Sequence, residues 1–544
     1  MRKKISQHLQ TEVTNLGYLC SGHQCQLGRA ERTAVRWIFP DLSRKDITYQ
    51  EFEDRSNQCA NLLINLGVQP GERVFIFLPR SPELFFFFLG ILKIKAVAGV
   101  LFSNFGEEAL LDRLSDSAAA VLLTKKSFLR KVNIIWDKLP ELRQVIVTDL
   151  DQHESGQVLS LNQLMNESQT SFAVPFTSPD TPSVLHYTSG STGKPKGVLH
   201  VHGSIHSQVS TFTEILSVGY EDIFWCTADP GWVTGVSYGI IAPMSQGITQ
   251  VQFSGTFSAE AWFEILQREA INIWYTAPTA LRMLMQEDDD LYRSFDLSHL
   301  KYIFSVGEPL NPAIISWSRR VLGKDIYDTW FQTETGSIMI ANRPGLQIRP
   351  GSMGKPHQVQ ALILDEAGKP LGANQQGRLA LKPGWPSMFI EYINRADAYA
   401  GKFKSGYYDS GDMAWQDEDG YFWFFGRGDD VINTSGHLVG PFEVESMLLE
   451  ADEVIEAGVI GVPDEMMYEK VVAYIRLAPG VAWSREVELK LRLHVSNRLS
   501  SLATPQEFKI VDSVPKNKSG KIMRRVLKAW YLGLDAGDLS TLEE

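Results

Sequence analysis

Eleven residues, 187–197 (YTSGSTGKPKG), concentrate the means to hold an anion. Gly190, Gly193 and Gly197 free the backbone so that its N–H groups can converge on one point. The hydroxyls of Ser189, Ser191 and Thr192 add donors, and Lys194 and Lys196 add positive charge. This chemistry suits the β- and γ-phosphates of a nucleotide. The spacing is not that of the common phosphate loop, GxxxxGK followed by Ser or Thr. A second group, Cys20, His23 and Cys25, brings metal-ligating side chains close together. No second ligand pair follows at zinc-site spacing, so a surface loop is expected there.

A phosphate loop has to be delivered by a rigid element. This one leaves a short apolar run at 184–185, which reads as a strand. Further strand-like runs at 74–79, 119–124, 144–148, 222–228, 271–277 and 302–306 alternate with helical stretches. That alternation predicts an α/β fold with mostly parallel sheets, whose ligands lie at the carboxyl ends of strands. After about residue 355 the texture changes to antiparallel hairpins, ALILDEAGKPL and GRLALK. Near residue 430 it changes again. VIEAGVIGV, VVAYIRL, a helix around 485–499 and FKIV predict a compact α+β domain, with the boundary in 426–430, where glycine suits a hinge.

A chain of 544 residues exceeds a single hydrophobic core, so two to four domains are expected. With 44% hydrophobic and 21% charged residues, disorder over most of the length is excluded. The net charge of −12 offers DNA and anionic lipid no bulk attraction, so neither nucleic acid nor membrane is an expected partner. Four cysteines suit a reducing compartment. The basic start, MRKKISQHLQTEV, lacks the apolar stretch of a secretion signal, and STLEE carries no lipidation or peroxisomal signal. The most apolar run, 84–92, is less than half the roughly twenty residues a bilayer span needs and predicts a buried helix. A cytoplasmic protein is expected.

The 187–197 string resembles the phosphate loop of the adenylate-forming superfamily: acyl-CoA synthetases, peptide-synthetase adenylation domains and beetle luciferases. The resemblance rests on at least five motifs in the right order and covers nearly the whole chain. It implies an α/β fold with a large N-terminal domain, 1–428, of two α/β subdomains plus a β-barrel from about 355. A small, mobile α+β C-terminal domain, 429–544, would follow, hinged at Asp429. ATP, Mg²⁺ and coenzyme A are the implied small molecules. Thr188, Ser189, Gly190, Ser191, Thr192, Gly193, Lys194 and Lys196 would hold phosphates, and Gly307, Glu308 and Pro309 would cradle adenine. In YDTWFQTETG (327–336), Asp328, Thr329 and Trp330 would surround adenine, and Gln332 and Thr333 would face the α-phosphate. Glu334 would ligate Mg²⁺, which favours hard carboxylate oxygens. Asp412, in YYDSGDMAW, matches the aspartate that accepts both ribose hydroxyls, and Arg427, in FFGRGDD, the arginine near ribose and phosphate. Lys521, in PKNKSGKIMRR, matches the catalytic lysine and joins Glu334, Thr333 and Arg427 in the implied catalytic set.

DPGWVTGVSYGI (229–240) resembles the acetate-activating acyl-CoA synthetases of that superfamily. Trp232, Val233, Thr234 and Val306 would line the acyl pocket. Phe331 would block its floor, where acetate enzymes carry Trp and medium-chain relatives Gly. A buried methylene gains about 0.8 kcal/mol, and pockets separate single methylenes by only about 1–3 kcal/mol, so acetate or propionate is favoured with modest selectivity. Gly436 matches the glycine beside the pantetheine channel. Arg113 is implied at the CoA nucleotide, with an ordinary helix-surface arginine as the alternative. Two positions depart from the family pattern: Leu438 replaces an arginine and Tyr468 a glycine, both on the thioester-forming face. The expected activity is ATP-dependent conversion of a short-chain carboxylate, acetate first, to acyl-AMP and then to acyl-CoA. An adenylating enzyme for a larger acid or another acceptor, and a catalytically weak binding or regulatory homologue, are the alternatives. Further expected partners are a lysine acetyltransferase and deacetylase acting on Lys521, and a second copy of the chain.

Overall fold

The computed structural model describes residues 15–188, 195–435, 437–464, 466–517, 520–536 and 539. Three sheets organise it, two in the large N-terminal domain and one in the small C-terminal domain. In the first, Arg73–Phe77 pairs in parallel with Val97–Leu101 and with Val121–Thr124, and the ladder continues in parallel through Gln144–Val147 to Val158–Ser160. These strands are near-continuous apolar runs because helices cover both faces of the sheet. At the other side Pro182–Thr188 turns back antiparallel onto Lys196–Val201, so Thr188 pairs directly with Lys196. The loop between them, and with it Ser189, Gly190, Ser191, Thr192, Gly193 and Lys194, lies outside the described residues, as does Gly436.

The apolar run at 84–92 forms the core of the helix Pro82–Lys93. Proline opens the helix, and the Ser81 hydroxyl accepts from the Leu84 N–H, satisfying one of its orphan donors. Phe85, Phe87 and Phe88 are fully buried, each stabilising by about 1.5–3 kcal/mol. Among the described residues, no helix is long and apolar enough to cross a membrane.

The second sheet begins as a parallel stack, with Ile223–Cys226, Ile273–Thr276, Tyr302–Val306 and Ile326–Trp330 side by side. It continues through antiparallel strands, Ser352–Pro356, Phe422–Arg427, Tyr407–Gln416, Gly377–Leu381 and Ala361–Leu364. The antiparallel region is therefore an extension of the second ladder, and it carries Asp412 and Arg427 to the edge of the parallel strands. The third sheet holds Ile432–Thr434, His437–Val439, Val454–Asp464, Tyr468–Leu477 and Glu507–Ile510, flanked by the helices Pro441–Leu449, Arg485–Arg498 and Arg524–Leu532.

The expected surface loop at Cys20, His23 and Cys25 is corrected. Cys20 is fully buried beneath short helical turns, and its Sγ donates to the Ile241 carbonyl at 3.5 Å. Burial also pushes the Cys25 thiol up to about 11. All four cysteines are free thiols, and no group of three His, Cys, Asp or Glu side chains among the described residues could hold a metal ion.

Candidate functional site

A cleft of about 880 Å³ opens where the carboxyl ends of the second sheet's parallel strands face the antiparallel region and the C-terminal domain. Each wall follows from a local feature. Val306 ends the buried strand Tyr302–Val306, and the chain then turns at Gly307 with φ +96°. Glu308, in that turn, is fixed by Arg282 at 2.5 Å and by the N–H of Thr279 at 3.1 Å. The neighbouring strand Ile326–Trp330 presents Asp328, Thr329 and Trp330. Thr329 donates to the Ser305 carbonyl at 2.7 Å, which locks the two strand ends together. Burial raises the Asp328 carboxyl well above the usual carboxylate range, and its Oδ1 has no hydrogen-bond partner.

The chain then makes one 3₁₀ turn, Thr333–Thr335, with reciprocal capping between Gln332 and Thr335. Gly336 ends it at φ +70°, where an added Cβ would lie 2.4 Å from the Ser387 carbonyl oxygen. His200 holds the same turn from below. A carbonyl can only accept, so its Nε2 donates to the Thr333 oxygen at 2.8 Å. Burial lowers the His200 pKa to about 4, so the imidazole is neutral there at neutral pH. The turn presents Glu334, whose Oε1 accepts from the Tyr392 hydroxyl at 2.6 Å. Lys196 lies over the Tyr392 ring, 5.6 Å from its centroid.

Asp412 and Arg427 face each other across adjacent antiparallel strands. Arg427 donates to Asp412 Oδ1 at 2.9 Å, while Oδ2 accepts from Trp330 Nε1 at 3.0 Å and Gln332 Nε2 at 3.1 Å. Lys521 enters from the C-terminal domain. Desolvation by the cleft walls and the nearby Arg427 guanidinium lower its pKa, and Asp412 and Asp430 oppose them. Its loop is anchored by Asn517, whose Oδ1 accepts the Lys521 N–H at 2.9 Å, and by Gly520, whose carbonyl accepts from the Thr279 hydroxyl at 3.3 Å.

At the inner end of the cleft stand Trp232, Val233, Thr234, Val306 and Phe331. Phe331 packs edge-on against buried Tyr238, with centroids 5.7 Å apart, and Trp232 packs against Phe102 at 4.8 Å. Tyr238 is pinned in turn by Thr211 at 2.6 Å and by the Ile338 N–H at 2.9 Å. Phe331, on the cleft wall, is thus backed by a ring held in a fixed orientation.

All the described residues expected at the nucleotide and acyl sites line this one cleft. Arg113 does not. It is 2% exposed, which corrects the helix-surface alternative, and its guanidinium lies 4.2 Å from the Phe105 ring centroid. Asp429 is exposed at the cleft's edge, 3.6 Å from Arg427 Nε. Leu438 and Tyr468 lie elsewhere, 46% and 71% exposed, and Tyr468 holds φ +70°. Motif reasoning missed Lys402, Tyr392, Arg282 and His200. Each lies outside the matched strings; the fold brings Lys402, Tyr392 and Arg282 to the cleft wall and places His200 behind it, against Thr333.

Residues 23–392 match the AMP-binding enzyme family, and residues 443–521 match the AMP-binding enzyme C-terminal domain. The chain is 46% identical to an acetyl-coenzyme A synthetase of Bacillus subtilis, covering 98% of this chain and 93% of that one. It is 36% identical to an acetyl-coenzyme A synthetase of Pyrobaculum aerophilum, covering 97% and 85%. Among solved structures, the anthranilate CoA ligase AuaEII in complex with anthranoyl-AMP superimposes with a TM-score of 0.87 at 28% identity, covering 96% of this chain and 98% of that one.

Proposed function

The chain belongs to the AMP-binding enzyme family, and from that premise we propose that it is an acetate–CoA ligase, forming acetyl-AMP from ATP and acetate and then passing the acetyl group to coenzyme A. The acetate reading is supported by Phe331, which lines the cleft together with Val233, Thr234 and Val306 and is backed edge-on by the buried Tyr238 ring.

In the first half-reaction an acetate oxygen attacks the α-phosphorus. The bond from that phosphorus to the bridging oxygen breaks, and pyrophosphate leaves. Both reactants are anions, so positioning and positive charge lower the barrier. Lys521, Arg427 and Lys196 supply that charge from three elements of the cleft. Thr188 and Lys196 would anchor the phosphate loop at its two ends, and Glu308 and Trp330 would flank the adenine. In the second half-reaction the CoA thiol loses its proton and its sulfur attacks the acyl carbon; the bond from that carbon to the phosphate oxygen breaks, and AMP leaves with the bonding electrons.

Glu334 suits a magnesium ion. Its Oε1 is oriented by Tyr392, and among the described residues no cationic nitrogen lies within ion-pair distance of its carboxylate. Bound there, the ion would neutralise phosphate charge. Asp429 is read as the hinge on which the C-terminal domain turns between the two half-reactions. Acetylation of Lys521 would remove its charge and silence the first half-reaction. A cytoplasmic setting, with ATP, CoA and reduced thiols, fits the four free cysteines.

The test is pyrophosphate exchange with C2 to C8 acids, with CoA-thioester detection on the same samples. Acetate and propionate should exchange fastest and yield thioester. Fastest exchange with C6 to C8 acids would overturn the acetate reading, and exchange without thioester would point to another acceptor.

A further inference from the structure

Lys402 lines the cleft between the helix Ala396–Ala400 and the long strand Tyr407–Gln416. Its stem is partly buried and its Nζ lies 5.5 Å from the Tyr408 ring centroid. The ammonium donates to the carbonyls of Asp409 at 3.2 Å and Ser410 at 3.3 Å. Those bonds use two of its three donors. The Asp409 carboxylate is already engaged by Arg378 at 2.8 Å and Lys404 at 3.3 Å. Among the described residues, no carboxylate lies within 4.0 Å of the Lys402 ammonium, although Glu334, Asp409 and Asp412 attract it through space and Arg427 repels it. A partly buried cation with no carboxylate in contact is costly, and a ligand anion reaching its free donor would offset that cost.

The position narrows which anion. The Ser410 carbonyl that Lys402 holds also accepts from Gln332 Nε2, and the same Gln332 nitrogen reaches Asp412 Oδ2. Lys402 is thus tied to the Asp412 and Glu334 side of the cleft, and the acyl end is built from other elements. We propose that Lys402 is a catalytic residue of the adenylation half-reaction, its ammonium gripping a phosphate oxygen of the bound nucleotide. The assignment rests on the nucleotide reading of the cleft. It adds a positive charge at a position outside the strings matched above.

The experiment compares wild type with Lys402→Met, which keeps the stem over Tyr408 and removes the charge. Binding of ATP with magnesium and of AMP is measured by calorimetry, and adenosine binding by competition. A charge-assisted hydrogen bond contributes enough that its loss should weaken both phosphorylated ligands by about 10- to 150-fold. Adenosine binding should stay within about twofold of wild type, because only phosphate contact is lost. Unchanged ATP and AMP affinity would overturn the assignment, and so would an equal loss of adenosine, which would mark Lys402 as structural. Should Lys402→Met fail to fold, Lys402→Gln read in the same way decides. A failure of the nucleotide reading itself is seen separately, as wild type that binds no ATP.

Discussion

Arg427 and Asp412 stand directly opposite each other on adjacent antiparallel strands, joined by a 2.9 Å ion pair. Trp330 and Gln332 occupy the second carboxylate oxygen. A carboxylate with about four acceptor positions has three of them in use, so a ribose offering two hydroxyls displaces at least one partner. Asp412→Asn keeps the shape but leaves Arg427 without its counter-charge. It should raise the KM for ATP by about 10- to 100-fold, in line with the roughly 1.5–3 kcal/mol of a charge-assisted bond. Steady-state kinetics at saturating acetate check this, and an unchanged KM would remove Asp412 from the nucleotide site.

Lys521→Ala should abolish adenylate formation from ATP and acetate, yet spare thioester formation from supplied acetyl-adenylate. Gly520→Ala should do the same by a different route. Gly520 holds φ +81°, and a Cβ there would lie 1.9 Å from Thr279 Oγ1 and 2.7 Å from Glu308 Oε1, which props the C-terminal domain away from the cleft. Both half-reactions are assayed on each variant. Equal loss of the two halves would deny Lys521 and its loop a role confined to the first.

Phe331→Gly removes part of the cleft wall and the edge contact with Tyr238. Preference should move toward C4 to C8 acids, each accommodated methylene contributing about 0.8 kcal/mol, or about fourfold in kcat/KM. If acetate remains the best acid and no longer acid gains, Phe331 is packing alone.

Burial lowers the pKa of His186 to about 3, His200 to about 4 and His202 to about 3. Their neutral forms are favoured in the folded state, so their contribution is complete above the unfolded value near 6.5. Below that the unfolded chain binds protons the folded one refuses, and stability falls as pH drops toward the folded values. The slope approaches about 1.4 kcal/mol per pH unit for each histidine. Urea denaturation between pH 6.5 and 5 should show it, and His186→Leu should flatten it. An unchanged slope would mean His186 protonates in the native state.

Tyr468 holds φ +70° while 71% exposed, a conformation that costs a bulky residue about 1–2 kcal/mol. Tyr468→Gly should raise the melting temperature of the C-terminal domain. A lower one would show that the ring makes compensating contacts.

The strand alternation, and the string 327–336 that supplies much of the cleft wall, were legible in the sequence because each is local. Backbone freedom, donor density and apolar periodicity all leave their mark within a dozen residues. Tyr468 was legible as an anomaly, and its left-handed backbone gives that departure from glycine a physical meaning. His200, Tyr392, Arg282 and Lys402 were not legible. His200 reaches Thr333 across 133 residues, and Tyr392 reaches Glu334 across 58. No spacing rule connects residues that meet only because two sheets converge. The surface alternative for Arg113 failed for a related reason: a charged residue on a helix reads as surface until packing puts an aromatic ring against it.

The strand Phe422–Arg427 ends at Arg427, whose carbonyl accepts from the Asp430 and Val431 N–H groups at 3.0 and 2.9 Å, so a tight turn through Gly428 and Asp429 leads to the first strand of the C-terminal domain at Ile432, and the Gly428 N–H is fastened to the Gly411 carbonyl at 2.9 Å. Arg427 is therefore both the last fixed point of one body and the first link of the other. On the proposed hinge at Asp429, rotation of the C-terminal domain bears on the guanidinium that holds Asp412. In mechanical terms the proposed nucleotide would sit at the fulcrum of the lever. Single-molecule distance measurements between the two domains should then show nucleotide occupancy narrowing the spread of orientations, and the Arg427→Ala variant should lose that narrowing even at saturating nucleotide.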